Sequence, residues 1–374
     1  MSVFRRWVAV AAVVTIGMGV AGCGTSSDSE GGSDNRKKIA LLLPDVQATR
    51  YDRFDVPYFS DKVEQLCPDC EIIYRNAAQL PQTQEFQADE ALENGADVLV
   101  LAPVDAKAAA AIVKNAKGRD VPVISYDRLV ENADVDYYIS FDNEKVGKLQ
   151  ATALVQRLRQ TGKTTGKIVM INGSDTDPNA KQFNRGAHSV LDGSGFEIAP
   201  KPDFFTPEWD PVRAQAFMSD QLTKLGRAGA DKNTAAGMGF IGVYSANDGL
   251  AGGAIAAMTA AGITALPPVT GQDAELPAIQ RILTGEQYMT VYKAYRPEAE
   301  RAAEFAVALV KGQTPRAPDK VNNGMKDVPS LLLEPTSVTI GNVETEVVEA
   351  GLYSTDELCV GAFLQACQTA GLTS

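Results

Sequence analysis

From Lys38 onward, short apolar runs alternate with longer stretches in which apolar residues recur at helical spacing. The runs are continuous and often β-branched, which predicts buried strands at 39–43, 72–74, 98–101, 121–125, 139–141, 167–171, 241–244, 269–271, 288–291 and 329–333. The longer stretches predict helices at 82–94, 105–117, 144–160, 180–191, 211–225, 249–260, 276–283 and 297–310. Such alternation indicates parallel strands joined by right-handed helical crossovers.

The length of this patterned region sets the number of lobes. About 340 residues follow the N-terminal leader, which is more than a single core usually holds. We therefore predict an α/β fold of two doubly wound parallel-sheet lobes, each with five or six strands. Ligands of such sheets bind beyond the carboxyl ends of the strands, so the residues that follow each strand are the candidates for function.

The first residues have the form of a lipoprotein signal peptide. Arg5 and Arg6 precede an apolar run at 7–20, and Ala21 and Gly22 stand directly before Cys23. The run is shorter than the ~20 apolar residues that span a bilayer. We predict a signal peptide at 1–22, lipidation of Cys23 and a flexible tether at 23–36. An ordinary secretory peptide or an uncleaved anchor remains possible, and either one also exports the chain.

Charge and cysteines narrow the class of protein further. The net charge is −12 and no Lys/Arg cluster follows the leader, which argues against nucleic-acid binding. Four more cysteines form two close pairs, Cys67 with Cys70 and Cys359 with Cys367. The first pair has the spacing of redox motifs and of half a zinc site. An exported chain meets an oxidising compartment, so two local structural disulfides are the favoured interpretation.

Apparent enzyme motifs lose their physical basis in context. The glycines at 237–242 fit Gly-x-Gly-x-x-Gly, but they lead into a predicted strand instead of following one, so a dinucleotide site is not expected. His188 is the single histidine and falls in a helical stretch, which disfavours Ser-His-Asp catalysis and histidine metal sites. We predict no enzymatic activity, no metal and no cofactor.

Polar side chains follow the predicted strands in both halves of the chain. They are Asp45, Arg50, Tyr51, Asp127, Arg128, Asp142, Asn143, Asn172, Ser174, Asn179, Asn247, Asp248, Gln272, Asp273, Tyr292 and Lys293. Planar amide, carboxylate and guanidinium groups pair with neighbouring sugar hydroxyls, and aromatic rings such as Trp209 and Tyr51 pack on the C–H faces of a pyranose. The alternative for any single residue is a helix cap, above all for Asp142, Asp177 and Asp248.

Several of these residues lie in segments that resemble the D-xylose-binding members of the type I, ribose-binding-like periplasmic binding proteins of ABC sugar transporters. The similar segments run in order from about Lys38 to Gly351. They are Ile-Ser-Tyr-Asp-Arg at 124–128, the stretch 136–147, Asn-Ala-Lys at 179–181, Ser-Ala-Asn-Asp at 245–248, Gly-Gly-Ala-Ile at 252–255, Gly-Gln-Asp-Ala at 271–274, Met-Thr-Val-Tyr-Lys at 289–293 and 322–330.

The resemblance implies two lobes that close on a ligand by hinge bending, joined by crossings near Phe141, Ala294 and Val328. It places 37–141 with 294–328 in an N-terminal lobe, and 142–293 with 329–374 in a C-terminal lobe. It also implies an extracytoplasmic monomer that captures a monosaccharide, D-xylose first, and delivers it to an ABC permease with ATPase subunits. The N-terminal lipid would be its only membrane attachment.

Carried over by position, the resemblance gives nine sugar-binding residues. They are Arg50, Tyr51, Asp127, Arg128, Asn179, Trp209, Asn247, Asp273 and Lys293. Two departures concern the choice of sugar: Tyr51 stands where the family has a tryptophan, and the loop at 47–49 lacks the family's charges. The tail after Gly351 has no counterpart and is expected to be a helical, disulfide-pinned extension.

Three alternatives stay open. The same fold can act as a sensor that presents the closed complex to a membrane receptor, or it can bind another monosaccharide such as glucose or arabinose. The third is an exported glycosidase with Asp127 and Asp273 as its carboxylate pair. The expected pairing with Arg128 and Lys293, and the lack of an environment that raises a carboxyl pKa, argue against that enzyme.

Overall fold

The computed structural model describes residues 36–226 and 233–372. The predicted signal peptide, Cys23 and the tether up to Asn35 lie outside the described residues. Within the described part of the chain, no helix is both long and apolar enough to cross a membrane.

One sheet organises the first part of the chain. Its strands are β1 (Lys38–Leu43), β2 (Glu71–Asn76), β3 (Val98–Leu101), β4 (Val123–Tyr126), β5 (Tyr137–Phe141), and, from much later in the sequence, β10 (Asp319–Asn322) and β11 (Asp327–Leu333). The order is β10-β11-β5-β4-β3-β1-β2, and every neighbouring pair is parallel except β10 with β11. Buried helical residues cover both faces, as the continuous apolar strands predict.

The second sheet follows in the chain. Its hydrogen-bonded strands are β6 (Gly166–Asn172), β7 (Phe196–Phe205) and β8 (Gly242–Ser245), and a separate antiparallel pair consists of β9 (Met289–Tyr292) and β12 (Thr336–Thr339). The predicted strand at 269–271 does not form a full strand, and only Val269 pairs with Val243, in an isolated parallel β-bridge. Its backbone nevertheless bonds residue 243 on one side and residues 288 and 291 on the other, which links the two groups of strands.

The helices alternate with these strands as the apolar spacing predicts. They are α1 (Val56–Leu66), α2 (Pro81–Glu93), α3 (Ala110–Lys117), α4 (Asn143–Gln160), α5 (Pro178–Leu191), α6 (Pro211–Leu225), α7 (Asp248–Ala260), α8 (Leu276–Thr284), α9 (Tyr295–Val310), α10 (Thr355–Leu358) and α11 (Leu364–Thr369). A π-helical turn, Tyr51–Asp55, precedes α1, and a second one spans Glu344–Glu349. A 3₁₀ turn, Pro207–Trp209, precedes α6.

The architecture confirms the predicted α/β fold of two parallel-sheet lobes. We call the part built on the seven-stranded sheet the first lobe, and the part built on β6, β7, β8, β9 and β12 the second lobe. Three features of the strands differ from the prediction. The first sheet has seven strands instead of the expected five or six. β7 contains two prolines, which hide a strand from sequence patterns, and β10 and β12 are short strands with mostly polar or partly exposed residues.

The third crossing between the lobes differs from the predicted position near Val328. Residues Ser330 to Leu333 of β11 pair in parallel register with Tyr138 to Phe141 of β5, so Val328 lies inside a strand of the first sheet. The chain next pairs with β9 at Thr336, and we place the crossing between these two contacts. The full division into lobes at the other predicted boundaries stays a proposal.

Several strand-end residues cap helices. Asp142 Oδ1 accepts a hydrogen bond from Lys145 N at 2.9 Å, and Asp177 Oδ1 accepts one from Asn179 N at 2.8 Å. Asp248, the third expected cap, is instead the first residue of α7, and Asn247 caps that helix by accepting from Leu250 N at 2.9 Å. Two of these capping residues, Asp177 and Asn247, therefore also line the cleft that is described below.

Both cysteine pairs lie within bonding distance. The sulfurs of Cys67 and Cys70 are 2.03 Å apart, at the step from α1 to β2, and those of Cys359 and Cys367 are 2.09 Å apart in the C-terminal tail. The tail is helical, with α10 and α11, and buries apolar residues in one cluster with α8.

The contact between α4 and α5 sets the geometry of the second lobe near the hinge. A Cβ on Gly147 would lie 2.0 Å from Phe183 O, and one on Gly186 would lie 2.0 Å from Glu144 O. The two helices therefore approach with their backbones in contact. The same approach places Asn143, at the start of α4, beside Asn179 of α5.

We predict that Gly147→Ala lowers the free energy of unfolding by about 1–3 kcal/mol, because the new methyl group must push the helices apart. Lys148→Ala, at the exposed neighbouring position, is the control and should change it by less than about 0.5 kcal/mol. Urea denaturation followed by circular dichroism measures both. Equal stability of Gly147→Ala and the wild type would contradict the close approach.

Candidate functional site

A cavity of about 140 Å³ lies between the two lobes at the carboxyl ends of their strands. The residues predicted from the sequence all line it: Arg50, Tyr51, Asp127, Arg128, Asn179, Trp209, Asn247, Asp273 and Lys293. The first four come from the first lobe, and the others come from the second lobe and its border with the hinge. The structure thus brings together every residue of the predicted set.

Asp127, directly after β4, is the centre of the cleft's polar contacts. Its Oδ1 accepts hydrogen bonds from Arg50 Nη1 at 3.1 Å and from Lys293 Nζ at 3.3 Å, and its Oδ2 accepts one from Tyr51 Oη at 2.7 Å. Burial alone would raise the pKa of Asp127, but the charges of Lys293, Arg50 and Arg128 hold that pKa well below its usual value. Asp127 is therefore a buried carboxylate that stays ionised.

Arg50 is fixed from behind by two more acids. Its Nε and Nη2 donate to the two carboxylate oxygens of Asp55 at 2.9 and 2.6 Å, and Nη2 also donates to Glu298 Oε2 at 2.6 Å. The Tyr295 ring lies 4.6 Å from the guanidinium carbon. Most N–H groups of Arg50 therefore donate to protein carboxylates. In the cleft, Arg50 mainly holds Asp127 in position.

Arg128 and Asn179 join the two lobes across the cleft. Arg128 Nη2 donates to Asp45 Oδ2 at 3.1 Å, and Arg128 Nε lies 2.9 Å from Asp177 Oδ2. The latter contact is an ion pair without hydrogen-bond geometry, since Nε–H has no aligned acceptor among the described residues. Asn179 Nδ2 donates to Asp127 O at 3.0 Å, which is a second link from α5 to the first lobe.

Asp273, after the extended stretch at 269–271, has an oxygen without a hydrogen-bond partner in the described part of the chain. This Oδ1 is buried and lies 3.6 Å from Lys293 Nζ, within reach of an ion pair. Burial raises the pKa of Asp273, and the charge of Lys293 opposes the rise. An unpaired buried acceptor is costly, so Asp273 is a strong candidate for a direct ligand contact.

Four residues that line the cleft have strained backbones. The φ angles of Gln79, Asp127, Trp209 and Asp273 are 66°, 58°, 55° and 99°, in the region that non-glycine residues rarely adopt. Such strain costs free energy and persists where the surrounding structure enforces it, most often at ligand sites. Three of these four positions, Asp127, Trp209 and Asp273, belong to the predicted sugar-binding set.

Trp209 forms an aromatic wall of the cleft. Its Nε1 donates to Asp177 Oδ2 at 3.1 Å, and the Phe183 ring meets it edge-on at a centroid distance of 6.3 Å. The ring lies over Gly173, where a Cβ would come within 2.0 Å of it. Tyr51 was expected to act as a stacking ring as well, but its hydroxyl is used to hold Asp127.

Other lining residues were not in the predicted set. Asp45 and Gln272 follow strands and were candidates, whereas Asp177 was weighed mainly as a helix cap and proves to be both. Phe183 lies one helical turn after Asn179 on α5, a spacing that could have revealed it. Glu275 has no comparable signal, because it reaches the cleft only through the irregular step before α8.

The arrangement of these side chains also bears on whether the site could hold a metal ion or act as a pair of catalytic carboxyl groups. Residues 36–226 and 233–372 contain no group of three His, Cys, Asp or Glu side chains arranged to hold a metal ion. The expectation that no environment raises a carboxyl pKa is wrong, since burial raises that of Asp273. Asp127, the other carboxyl of the proposed glycosidase pair, has both oxygens bound by Arg50, Lys293 and Tyr51, which leaves it poorly placed as a nucleophile.

Comparison with known proteins agrees with this geometry. A family model described as periplasmic binding protein domain matches residues 39–314. The D-xylose-binding periplasmic protein of Escherichia coli (strain K12) is 39% identical over 324 residues, which cover 86% of this chain and 92% of that protein. The multiple sugar-binding periplasmic receptor ChvE of Rhizobium radiobacter is 37% identical over 293 residues, 74% of this chain and 80% of that protein.

Solved structures extend the comparison to the fold. A carbohydrate transporter solute binding protein from Chloroflexus aurantiacus, in complex with D-glucose, superposes with a TM-score of 0.76 at 30% identity, over 86% of this chain and 98% of that one. An ABC transporter solute binding protein from Clostridium phytofermentans, with bound β-D-glucose, gives a TM-score of 0.78 at 27% identity, over 86% and 100%.

The buried carboxyl groups predict how stability depends on pH. Burial raises the pKa of Glu298 to about 8, with the charge of Arg50 opposing and those of Asp127 and Asp55 adding to the rise. In the unfolded chain, the Glu298 carboxyl ionises near pH 4.3. Between about pH 4 and pH 8, the folded state therefore binds more protons at this group than the unfolded state does. Stability from this group is therefore full at the acid end and falls as the pH rises.

We predict that Glu298→Gln makes the fall in unfolding free energy between about pH 5 and pH 8 shallower, by at most ~1.4 kcal/mol per pH unit. Asp248 and Glu275, whose pKa values burial raises to about 7 and about 8, keep the remaining slope negative. Urea denaturation across this range measures the slope, and the exposed Glu349→Gln is the control. A slope identical to that of the wild type would contradict the protonated state of Glu298.

Proposed function

Because this chain belongs to the periplasmic binding protein family, we propose that it is the extracytoplasmic receptor of an ABC importer and that its cleft captures a monosaccharide, D-xylose first. The observation that carries the proposal is the buried Oδ1 of Asp273, which has an ion pair with Lys293 but no hydrogen-bond partner among the described residues. Asp273 lines the cleft together with Trp209. A sugar hydroxyl would donate to this oxygen, and the apolar face of a pyranose would pack on the indole.

The remaining polar groups of the cleft also suit hydroxyls. Asn247 uses its carbonyl oxygen to cap α7, which leaves its amide nitrogen for a ligand oxygen. Lys293 lies between Asp127 and Asp273 and has three ammonium protons to distribute. The donors and acceptors are thus mixed along the cleft, as a polyol requires, instead of being of a single kind.

The charge balance of the cleft favours a neutral ligand. Its lining has five carboxyl groups, Asp45, Asp127, Asp177, Asp273 and Glu275, against the three cations Arg50, Arg128 and Lys293. An acidic sugar would bring another negative charge into a buried site whose cations are already paired. Neutral aldoses should therefore bind, and sugar acids of the same shape should be rejected.

D-xylose comes first because two relatives named as D-xylose-binding periplasmic proteins, from Escherichia coli and Haemophilus influenzae, are 39% and 36% identical to this chain over 324 residues. Glucose and arabinose remain alternatives. Tyr51 supports this breadth, since its side chain is buried and leaves little ring surface on which one particular sugar could stack.

Capture would proceed by closure of the lobes. Contacts of one sugar to Asp127 and Arg128 on one side, and to Asn247 and Asp273 on the other, would favour the closed state. We further propose that Cys23 carries the lipid, that the tether keeps the monomer near its permease and raises its effective concentration there, and that the closed form is what the permease binds.

A sensor role is the second candidate, because one relative is named as a receptor. The same closed surface would then be read by a membrane receptor instead of a permease. Transport of labelled sugar by cells that carry a deletion of the gene separates the two roles: a sensor is dispensable for uptake.

We predict that D-xylose raises the melting temperature of the purified protein, since a ligand that binds only the folded state stabilises it by about 2.7 kcal/mol at 100 times its Kd. D-glucose and L-arabinose should give smaller shifts, and D-glucuronate none. A thermal-shift panel measures all four. No response to any monosaccharide would overturn the sugar proposal, and turnover of a nitrophenyl xyloside would overturn the non-enzymatic one.

Two substitutions test the proposed contacts. Asp273→Asn keeps the shape but removes the ionised acceptor, and it should abolish binding while the fold is retained. Trp209→Ala removes the aromatic wall and should weaken binding by about 1–3 kcal/mol. Isothermal titration calorimetry measures both, with the exposed Asp175→Asn on the neighbouring loop as control. Wild-type affinity in either cleft variant would show that the sugar lies elsewhere.

A further inference from the structure

The C-terminal segment, residues 343–372, is fastened to the second lobe. Gln280 Nε2 of α8 donates to Leu358 O at 3.2 Å. Val347, Leu352 and Leu358 of the segment are buried in one apolar cluster with Ile279 of α8. The Cys359–Cys367 disulfide closes the loop that joins α10 to α11. The segment is therefore a fixed part of the second lobe's surface.

The same segment also contacts the first lobe. The Tyr353 ring meets the Phe54 ring edge-on at a centroid distance of 5.8 Å, and the Arg53 guanidinium lies 5.0 Å from the centre of the Tyr353 ring. Arg53 also forms an ion pair with Glu357. Phe54 is buried by these contacts. Residues Arg53 and Phe54 thus connect the first lobe to a segment that belongs to the second.

These two residues lie in the turn that supplies the cleft. Arg50 directly precedes the π-helical turn Tyr51–Asp55, and Tyr51 is the first residue of that turn. Phe54 stacks on Tyr295 at 5.5 Å, and the Tyr295 hydroxyl donates to Asp273 O. The position of this turn therefore determines where Arg50 and Tyr51 stand, and hence how Asp127 is held.

We propose that Tyr353 and Glu357 of the C-terminal segment form an interlobe latch for the sugar cleft and that Tyr353 is a positioning residue for sugar binding. The proposal rests on the proposed function. Tyr353 is not among the residues that line the cleft, and it acts through Arg53 and Phe54 on the turn that carries Arg50 and Tyr51. Contacts between the lobes lower the free energy of the closed state, so losing them reduces the closed population and the apparent affinity.

The latch makes a kinetic prediction that a purely structural role does not make. A sugar can leave only when the lobes separate, so weaker contacts between them should speed release more than they slow capture. Tyr353→Phe keeps the ring that meets Phe54 and Arg53. Tyr353→Ala removes it. Leu372→Ala removes apolar burial from the same cluster at the far end of the segment and serves as the matched control.

The experiment measures the D-xylose Kd by calorimetry, the release rate of labelled sugar and the melting temperature for the purified wild type and these variants. Tyr353→Ala should raise the Kd by about tenfold, mostly through faster release. Tyr353→Phe should stay within about twofold of the wild type, and Leu372→Ala should lower the melting temperature with a Kd within about twofold. Arg53→Gln, a change at a half-exposed residue that the fold tolerates, should raise the Kd by about threefold.

Two results would overturn the latch while the sugar proposal stands: wild-type affinity and release in both Tyr353→Ala and Arg53→Gln, or equal weakening by Leu372→Ala and Tyr353→Ala. The latter would show that sugar affinity follows general stability. Failure of the wild type to bind any monosaccharide is a different outcome, since it overturns the proposed function and the latch's part in it together.

Discussion

The cleft depends on one buried carboxylate, Asp127, and on the groups that keep it ionised. A carboxylate removed from water is costly unless cations and hydrogen-bond donors surround it. Arg50 and Lys293 supply the charge and Tyr51 supplies a hydroxyl. Lys293 follows β9 of the second lobe, whereas Asp127 follows β4 of the first, so this single group ties the lobes together at the site itself.

The polar residues around Asp127 divide into two kinds with different work. Arg50, Tyr51 and Asn179 are occupied by protein partners and determine the shape of the cleft. Asp273 has a buried oxygen without a hydrogen-bond partner among the described residues, and Asn247 uses its carbonyl oxygen to cap α7. A site of this kind is assembled before the ligand arrives, so less binding energy is lost in ordering side chains. In the proposed latch, the C-terminal segment likewise contacts the turn that carries Arg50 and Tyr51 and helps to hold it in position.

The carboxyl ends of parallel strands are what made the site predictable from sequence. Asp127, Asn247 and Asp273 follow strands whose apolar runs are plain, and the fold brings such ends to one edge. Glu298 and Asp55 escaped prediction because they lie within helical segments and meet Arg50 only in the folded chain. β7 was not predicted because its two prolines are not typical of strands. The third crossing was placed too early in the chain because β11 continues past Val328. The sequence therefore predicted residues that line the cleft, but not the buried acids that hold Arg50 behind it.

The most direct test of the central claim is a crystal structure of the protein with D-xylose. We expect one pyranose between the lobes, with a hydroxyl on the free oxygen of Asp273, a ring oxygen or hydroxyl near Lys293 and the C–H face of the sugar against Trp209. Asp127 should keep its contacts to Arg50 and Tyr51. A sugar bound outside the cleft, or one that displaces Arg50 from Asp127, would contradict the account.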